Sequence, residues 1–166
     1  MTAMTDHPEA LLKSTRELMF SRPGFLIRRL NQINAGMYWE EFLPSNITPV
    51  QYGMLTIVAR LPGLDQTRLG QEIGLDRTTT ADVVKRLEQR GLLRRSPNPA
   101  DRRSRLVNPT PEGQEAVAGL EERLLRAQER LLGPLRPAER AILMDLMRRL
   151  VETHNQCSRT AMRDIY

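Results

Sequence analysis

Apolar residues recur at helical spacing along most of the chain, and the interruptions mark its turns. Leu11, Leu12, Leu18 and Met19, with Thr15 between them, predict a short leading helix. Arg22-Pro23-Gly24 punctuates it. Leu26, Leu30, Ile33 and Met37 follow at spacings of four, three and four, predicting a second helix from about Pro23 to Leu43 that Pro44-Ser45-Asn46 breaks. Thr48-Pro49-Val50-Gln51 has the form of a capping box. The threonine caps, the proline stands where an N–H would be orphaned anyway, and the glutamine reaches back. That helix carries Met54, Leu55 and Val58 and ends near Leu61-Pro62-Gly63. Asp65 can cap a third, short helix with Leu69 and Ile73 one turn apart. Gly74 can end it in the left-handed conformation, and Asp76 can cap the next.

In the helix after Asp76, Thr80, Val83, Val84 and Leu87 fall on one side at about 100° per residue and predict the packed face. Thr78, Asp82, Lys85 and Gln89 fall opposite, flanked by Arg77, Thr79 and Arg86. After Gly91, Leu92-Leu93-Arg94-Arg95 and Ser104-Arg105-Leu106-Val107 read as short strands around a loop from Pro97 to Arg103. Two helices joined by a Gly-Leu-Asp turn and followed by a hairpin make a winged helix-turn-helix. Thr110-Pro111 then opens a helix with Val117, Leu120, Leu124, Ala127 and Leu131 at spacings of three, four, three and four, a coiled-coil-like seam. Gly133-Pro134 ends it, and Pro137 opens another with Leu143, Leu146, Met147 and Leu150. The fold class is mainly α with a small β-hairpin wing. Its parts are N-terminal helices over 1–46, the winged domain over 47–109 and C-terminal helices over 110–166.

Charge changes the picture at one place. Between Arg77 and Arg105 nine basic residues stand against three acidic ones, so this segment carries +6 while the whole chain carries +5. A positive field confined to one helix and one loop fits a polyanion, and its shape fits duplex DNA. Arg77, Thr78, Thr79, Lys85 and Arg86 are the candidate contacts from the helix. Arg102 and Arg103 at the loop, with Arg105 beyond them, suit a narrow, electronegative minor groove. Alone, the helix reads equally as a solvated amphipathic face and the loop as a solubilising turn. Their succession favours DNA.

Composition removes several classes. No apolar run approaches the roughly 18 residues of a membrane span, and Met1 to Pro8 shows no basic start followed by an apolar block, so neither a membrane span nor a secretory leader is expected. A single cysteine, Cys157, excludes an internal disulfide and fits a reducing, cytoplasmic setting. The two histidines, His7 and His154, lie near opposite ends, which leaves no metal site of the usual zinc kind and no catalytic set. Gly63 and Gly70 lack the lysine motif of a phosphate loop. No enzyme and no cofactor is expected. The competing class is a helical protein-interaction module that does not bind DNA specifically; the central charge argues against it, because protein interfaces lose charge at their centres.

Three stretches resemble the MarR family of bacterial transcriptional regulators. They are Leu75-Asp76-Arg77-Thr78-Thr79-Thr80, Arg86-Leu87-Glu88-Gln89-Arg90-Gly91-Leu92-Leu93, and Asp101-Arg102-Arg103-Ser104-Arg105-Leu106-Val107-Asn108-Pro109-Thr110-Pro111-Glu112-Gly113. Compatible helices extend the likeness from about Pro23 to Val151. Two departures stand out. Pro109 replaces an apolar strand residue, so the second wing strand is expected to end early. Asp82 can accept from a cytosine amino group or pair with Arg86 one turn on, and the spacing favours the pair.

The resemblance implies terminal helices that interlock two subunits into a homodimer. Such a dimer reads a pseudo-palindromic operator with half-sites roughly 34–36 Å apart. It also implies a repressor released by a small effector, an aromatic carboxylate or an aryl-CoA thioester, held between the dimer helices and the winged domain. Arg28, Arg29, Asn31, Asn34, Tyr38 and Trp39, joined by Tyr52 and Met54, supply apolar walls and polar groups for it. Core packing would use the same aromatics, and both uses stay open at this point.

Overall fold

Helix caps and turns written into the sequence set the element order. The computed structural model describes residues 6–163; residues 1–5, in the stretch read for a leader, lie outside them. Helices α1 (Asp6–Phe20) and α2 (Pro23–Phe42) lead into a 3-10 turn, Leu43–Ser45. Helix α3 (Pro49–Arg60) begins at the expected capping box: Gln51 N–H donates to Thr48 Oγ1 at 3.2 Å, and Thr48 N–H donates to Gln51 Oε1 at 3.0 Å. Then come β1 (Leu64–Asp65), α4 (Gln66–Ile73), α5 (Arg77–Gln89), β2 (Leu93–Asn98) and β3 (Asp101–Pro109). Helices α6 (Pro111–Leu132) and α7 (Pro137–His154) follow, and a 3-10 turn, Asn155–Cys157, puts Cys157 just past the last helix.

The sheet differs from expectation in three ways. It has three strands in the order β1-β3-β2, all antiparallel. Strand β1 is two residues long, so it offers no alternation to read, yet Leu64 pairs with Val107 and Asp65 with Leu106. The wing is longer than predicted, because β2 runs to Asn98 and β3 starts at Asp101. And β3 does not end early: Pro109 is its last residue, opposite Leu93. At a strand's final position the missing N–H removes no interior rung.

The core gathers Phe42, Ile47, Tyr52, Met54, Leu55 and Val58 against Leu69, Val83, Val84, Leu87, Leu93, Val107 and Leu120. The expected inner face of α5 is buried, Thr80 included; its hydroxyl donates to Asp76 O at 2.8 Å, so the polar group is satisfied. The α6 seam packs within the chain: Leu120 and Ala127 are buried, and α6 lies along α2 and across α3. Two ion pairs and a hydrogen bond to a backbone carbonyl fasten this packing. Arg126 meets Glu41 at 3.0 Å, Arg130 meets Glu40 at 2.7 Å, and Arg123 donates to Glu41 O at 3.1 Å. Helix α7 is different, for none of its residues is buried.

Candidate nucleic-acid interface

Two acidic caps set the reading unit. Asp65 Oδ1 accepts Arg68 N–H at 2.9 Å and starts α4; Gly74 ends it at φ 72°. Asp76 Oδ1 accepts Thr79 N–H at 2.8 Å and Oδ2 accepts the Thr79 hydroxyl at 2.7 Å. These donors, the backbone N–H first, hold the Asp76 carboxyl below its ordinary pKa. A charged cap at this helix start is favoured by the macrodipole as well. Thr79, a candidate base reader, therefore has its hydroxyl engaged by the cap, whereas Arg77, Thr78 and Lys85 are exposed and in no ion pair or side-chain hydrogen bond among the described residues.

The remaining charges of this segment divide by partner. Arg86 pairs with Asp82 at 2.9 Å, one turn apart, as the spacing favoured. Both ends are exposed, and such a surface pair is held by well under about 1 kcal/mol, so a phosphate can take the arginine over. Arg95 binds Glu88 through its guanidinium and its backbone N–H. That hydrogen bond lowers the Glu88 pKa and raises that of Arg95. It ties the reading helix to the wing. Arg90 donates to Asn46 O at 2.6 Å and Ser45 O at 3.0 Å, which fastens the end of α5 to the corner after α2.

At the wing the sequence expectation needs correction. Arg102 and Arg103 are not at a loop tip; Pro99 and Ala100 are. The register jumps from Pro97 opposite Arg105 to Asn98 opposite Asp101, so Arg102, Arg103 and Ser104 form a bulge on β3. Asn98 Oδ1 accepts Ala100 N–H at 3.0 Å and Asp101 Oδ1 accepts Arg103 N–H at 2.9 Å, two local turns that replace ladder rungs. Asp101 thus orients the bulge through the backbone. Arg102, Arg103 and Arg105 are all exposed.

Between wing and helices lies an open concavity of about 410 Å³, lined by Gln66, Thr67, Arg68, Arg77, Arg103 and Arg105 among others. Its two carboxylates are Asp65 and Asp101, each accepting a backbone N–H. The sequence reading missed Gln66, Thr67 and Arg68. The signal was present: they open the first helix of a helix-turn-helix, the helix that crosses the backbone of bound DNA.

The candidate effector residues scatter. Arg28 stacks over Phe25 at 5.2 Å and Arg29 reaches Gln32 at 3.4 Å. These two, Asn31 and Trp39 are exposed on α2, while Asn34 and Tyr38 are half-buried. Tyr38 stacks on Phe42, which meets Tyr52 edge-on. Met54 is 0% exposed and Tyr52 8%, so both serve the core, and no open wall of a site includes Met54.

This geometry agrees with what the chain is similar to. A profile of the MarR family matches residues 47–104. A candidate transcriptional regulator of the hcr operon from Thauera aromatica is 36% identical over 129 residues, 76% of this chain and 77% of that protein. The chain belongs to the MarR family. Among solved structures, the PcaV regulator of Streptomyces coelicolor in complex with its natural ligand matches with a TM-score of 0.71 at 34% identity, covering 91% of this chain and 97% of PcaV. BpsR of Bordetella bronchiseptica, whose DNA binding is regulated by 6-hydroxynicotinic acid, matches with a TM-score of 0.76 at 28% identity, covering 79% and 94%. The MarR-family chain is a DNA-binding transcriptional regulator with a winged helix-turn-helix, and not an enzyme.

For the MarR-type wing the expected result is electrostatic. Replacing Arg102 and Arg103 by alanine lowers the slope of log affinity against log salt by about one unit per lost phosphate contact. A salt titration with operator DNA measures it. An unchanged slope in the double variant would remove the bulge from the interface.

Proposed function

We propose that this chain is a homodimeric repressor that holds a pseudo-palindromic operator and releases it when an aromatic carboxylate or its CoA thioester binds. The observation that carries the DNA half is the concavity between α4, α5 and the wing. It is lined with arginines whose neighbouring carboxylates accept backbone N–H groups, so its field is available to phosphates. Thr78, Lys85 and Arg86 stand outward on α5 to meet base edges, with Arg77 and the wing arginines on the backbone.

Support for the effector is chemical and comparative. Arg28, Arg29 and Asn31 lie on the same helix as Tyr38 and Trp39, so a charge-assisted contact and an aromatic wall come from one element. BpsR, similar in fold and sequence, answers to an aromatic acid. The corner after α2 is joined to the end of α5 by Arg90, which gives the effector a route to the reading helix. Moving the balance between binding and released states from 99:1 to 1:99 takes about 10⁴-fold preference for the released state, about 5.5 kcal/mol.

An electrophoretic shift with the DNA upstream of the protein's own coding region tests both halves, with benzoate, hydroxybenzoates and benzoyl-CoA as probes. Trp39, the only tryptophan, reports binding by fluorescence. Retardation of the DNA, and its loss over the range that alters Trp39 emission, is the expected result. Saturable binding that leaves DNA affinity unchanged sinks the effector reading, because a ligand with equal affinity for two states shifts neither.

A further inference from the structure

After α7 the chain turns back onto the helix-turn-helix, and three contacts hold it there. The Asn155 side chain grips Met162 from both sides: Nδ2 donates to Met162 O at 2.8 Å and Oδ1 accepts Met162 N–H at 3.0 Å. Arg163 N–H donates to Gln71 O in α4 at 3.2 Å. Met162 lies over Gly74, where a Cβ would stand 3.1 Å from Met162 Cγ. Thr160 then lines a concavity of about 300 Å³ together with Gln66, Thr67, Gln71, Asp76 and Arg77. Three of these, Gln66, Thr67 and Arg77, also line the larger concavity facing the wing. One surface therefore runs from Arg103 and Arg105, past Arg77, to the tail. Along the tail Arg159 and Arg163 are exposed, and neither is in an ion pair among the described residues. Asp76, the carboxylate that lines this concavity with Thr160, is the α5 cap.

We propose that residues 158–163 form a docked basic arm that binds DNA phosphates beside the helix-turn-helix, with Arg159 and Arg163 as its contacting groups. This rests on the DNA-binding reading above and extends its surface. An arm already held by Asn155 and Gln71 loses little further freedom when DNA arrives, which is why a short, non-helical segment can contribute. Arginines on such a segment meet the backbone and carry no sequence information, so their contribution is the same on operator and on random duplex.

The test is the double substitution Arg159→Gln with Arg163→Gln, which keeps the Asn155 grip and the Arg163 backbone bond. Affinity for operator and random DNA is measured from about 50 to 200 mM salt, where phosphate contacts dominate. The slope should fall by about 0.9 per contact, and affinity at about 0.1 M salt by roughly tenfold per contact, equally on both DNAs. Asn155→Ala, which keeps both arginines but frees the arm, should weaken binding in the parent chain and have no further effect in the double variant. If the double variant keeps its slope while the Arg102 and Arg103 double variant loses its own, the arm lies outside the interface. An Asn155→Ala loss of equal size with and without the arginines would show a structural tail, and it too overturns the proposal. Failure of the unmodified chain to retard any DNA would instead overturn the DNA-binding reading, and the arm with it.

Discussion

Gly113→Ala lowers stability by about 3 kcal/mol, at the upper end of ordinary overpacking costs, and the melting temperature by roughly 6–12 °C for a chain of this size. The cause is a single atom. A Cβ on Gly113 would lie 2.0 Å from the carbonyl oxygen of Leu92. That oxygen cannot retreat freely, for it accepts Thr110 N–H at 3.2 Å, and Thr110 in turn donates its hydroxyl to Gly91 O at 2.7 Å and accepts Gly113 N–H at 3.0 Å. The start of α6 is thus locked to the turn that ends α5. Helix propensity alone predicts the opposite sign, a gain of about 0.5–1 kcal/mol. Gly119→Ala, on the same helix with nothing within 4 Å of its Cβ, should show that gain. Thermal melting of the two variants decides it. A stabilised Gly113→Ala would mean that α6 and the β2 start are not packed as described.

The Thr-Pro-Glu-Gly stretch was visible in the sequence as a motif, but its steric reason was not, because Leu92 approaches only through the fold. The same division runs through the molecule. Caps are local, so Thr48, Asp65, Asp76 and Thr110 could be read from spacing and residue type. So could the inner face of α5, since a helix of known period leaves Thr80, Val83, Val84 and Leu87 no other side to share. Features fixed by distant partners were hidden. Strand β1 exists because Val107 and Leu106 pass beside it. The wing lengthens because Asn98 and Asp101 make turns that a strand pattern does not encode. Basic residues looked alike in the sequence, whereas the fold gives Arg90 and Arg95 structural partners and leaves Arg77, Lys85 and the bulge arginines to solvent. Periodicity likewise could not say which apolar stripe packs within the chain: α6 does, and α7 does not.

Leu146→Glu combined with Leu150→Glu converts the proposed dimer to a monomer and weakens operator binding by about 10²–10⁴-fold, the range over which linked binding exceeds single engagement. Ile142, Leu146 and Leu150 succeed one another by single turns on α7 and are 59%, 47% and 56% exposed. Leu11, Leu12, Leu18 and Phe20 on α1, and Ile27 and Leu30 on α2, are exposed as well. A second copy of the chain is the covering partner the family likeness implies, and burying these faces is favourable by about 25 cal/mol per Å² of apolar surface. Two glutamates in that seam would each have to shed water without a partner, which costs more than the leucines gain. The winged unit itself should be untouched, since its core residues lie from α3 to α6, with Phe42 at the end of α2 and Ile47 just before α3, and no residue of α7 is buried. Half-site binding with the ordinary salt slope of one head is therefore expected to survive while the tight, two-headed complex is lost. Analytical ultracentrifugation gives the mass and a salt titration on whole and half operators gives the affinities. A variant that remains dimeric and binds the whole operator as tightly as the parent chain would place the subunit contact elsewhere than α7.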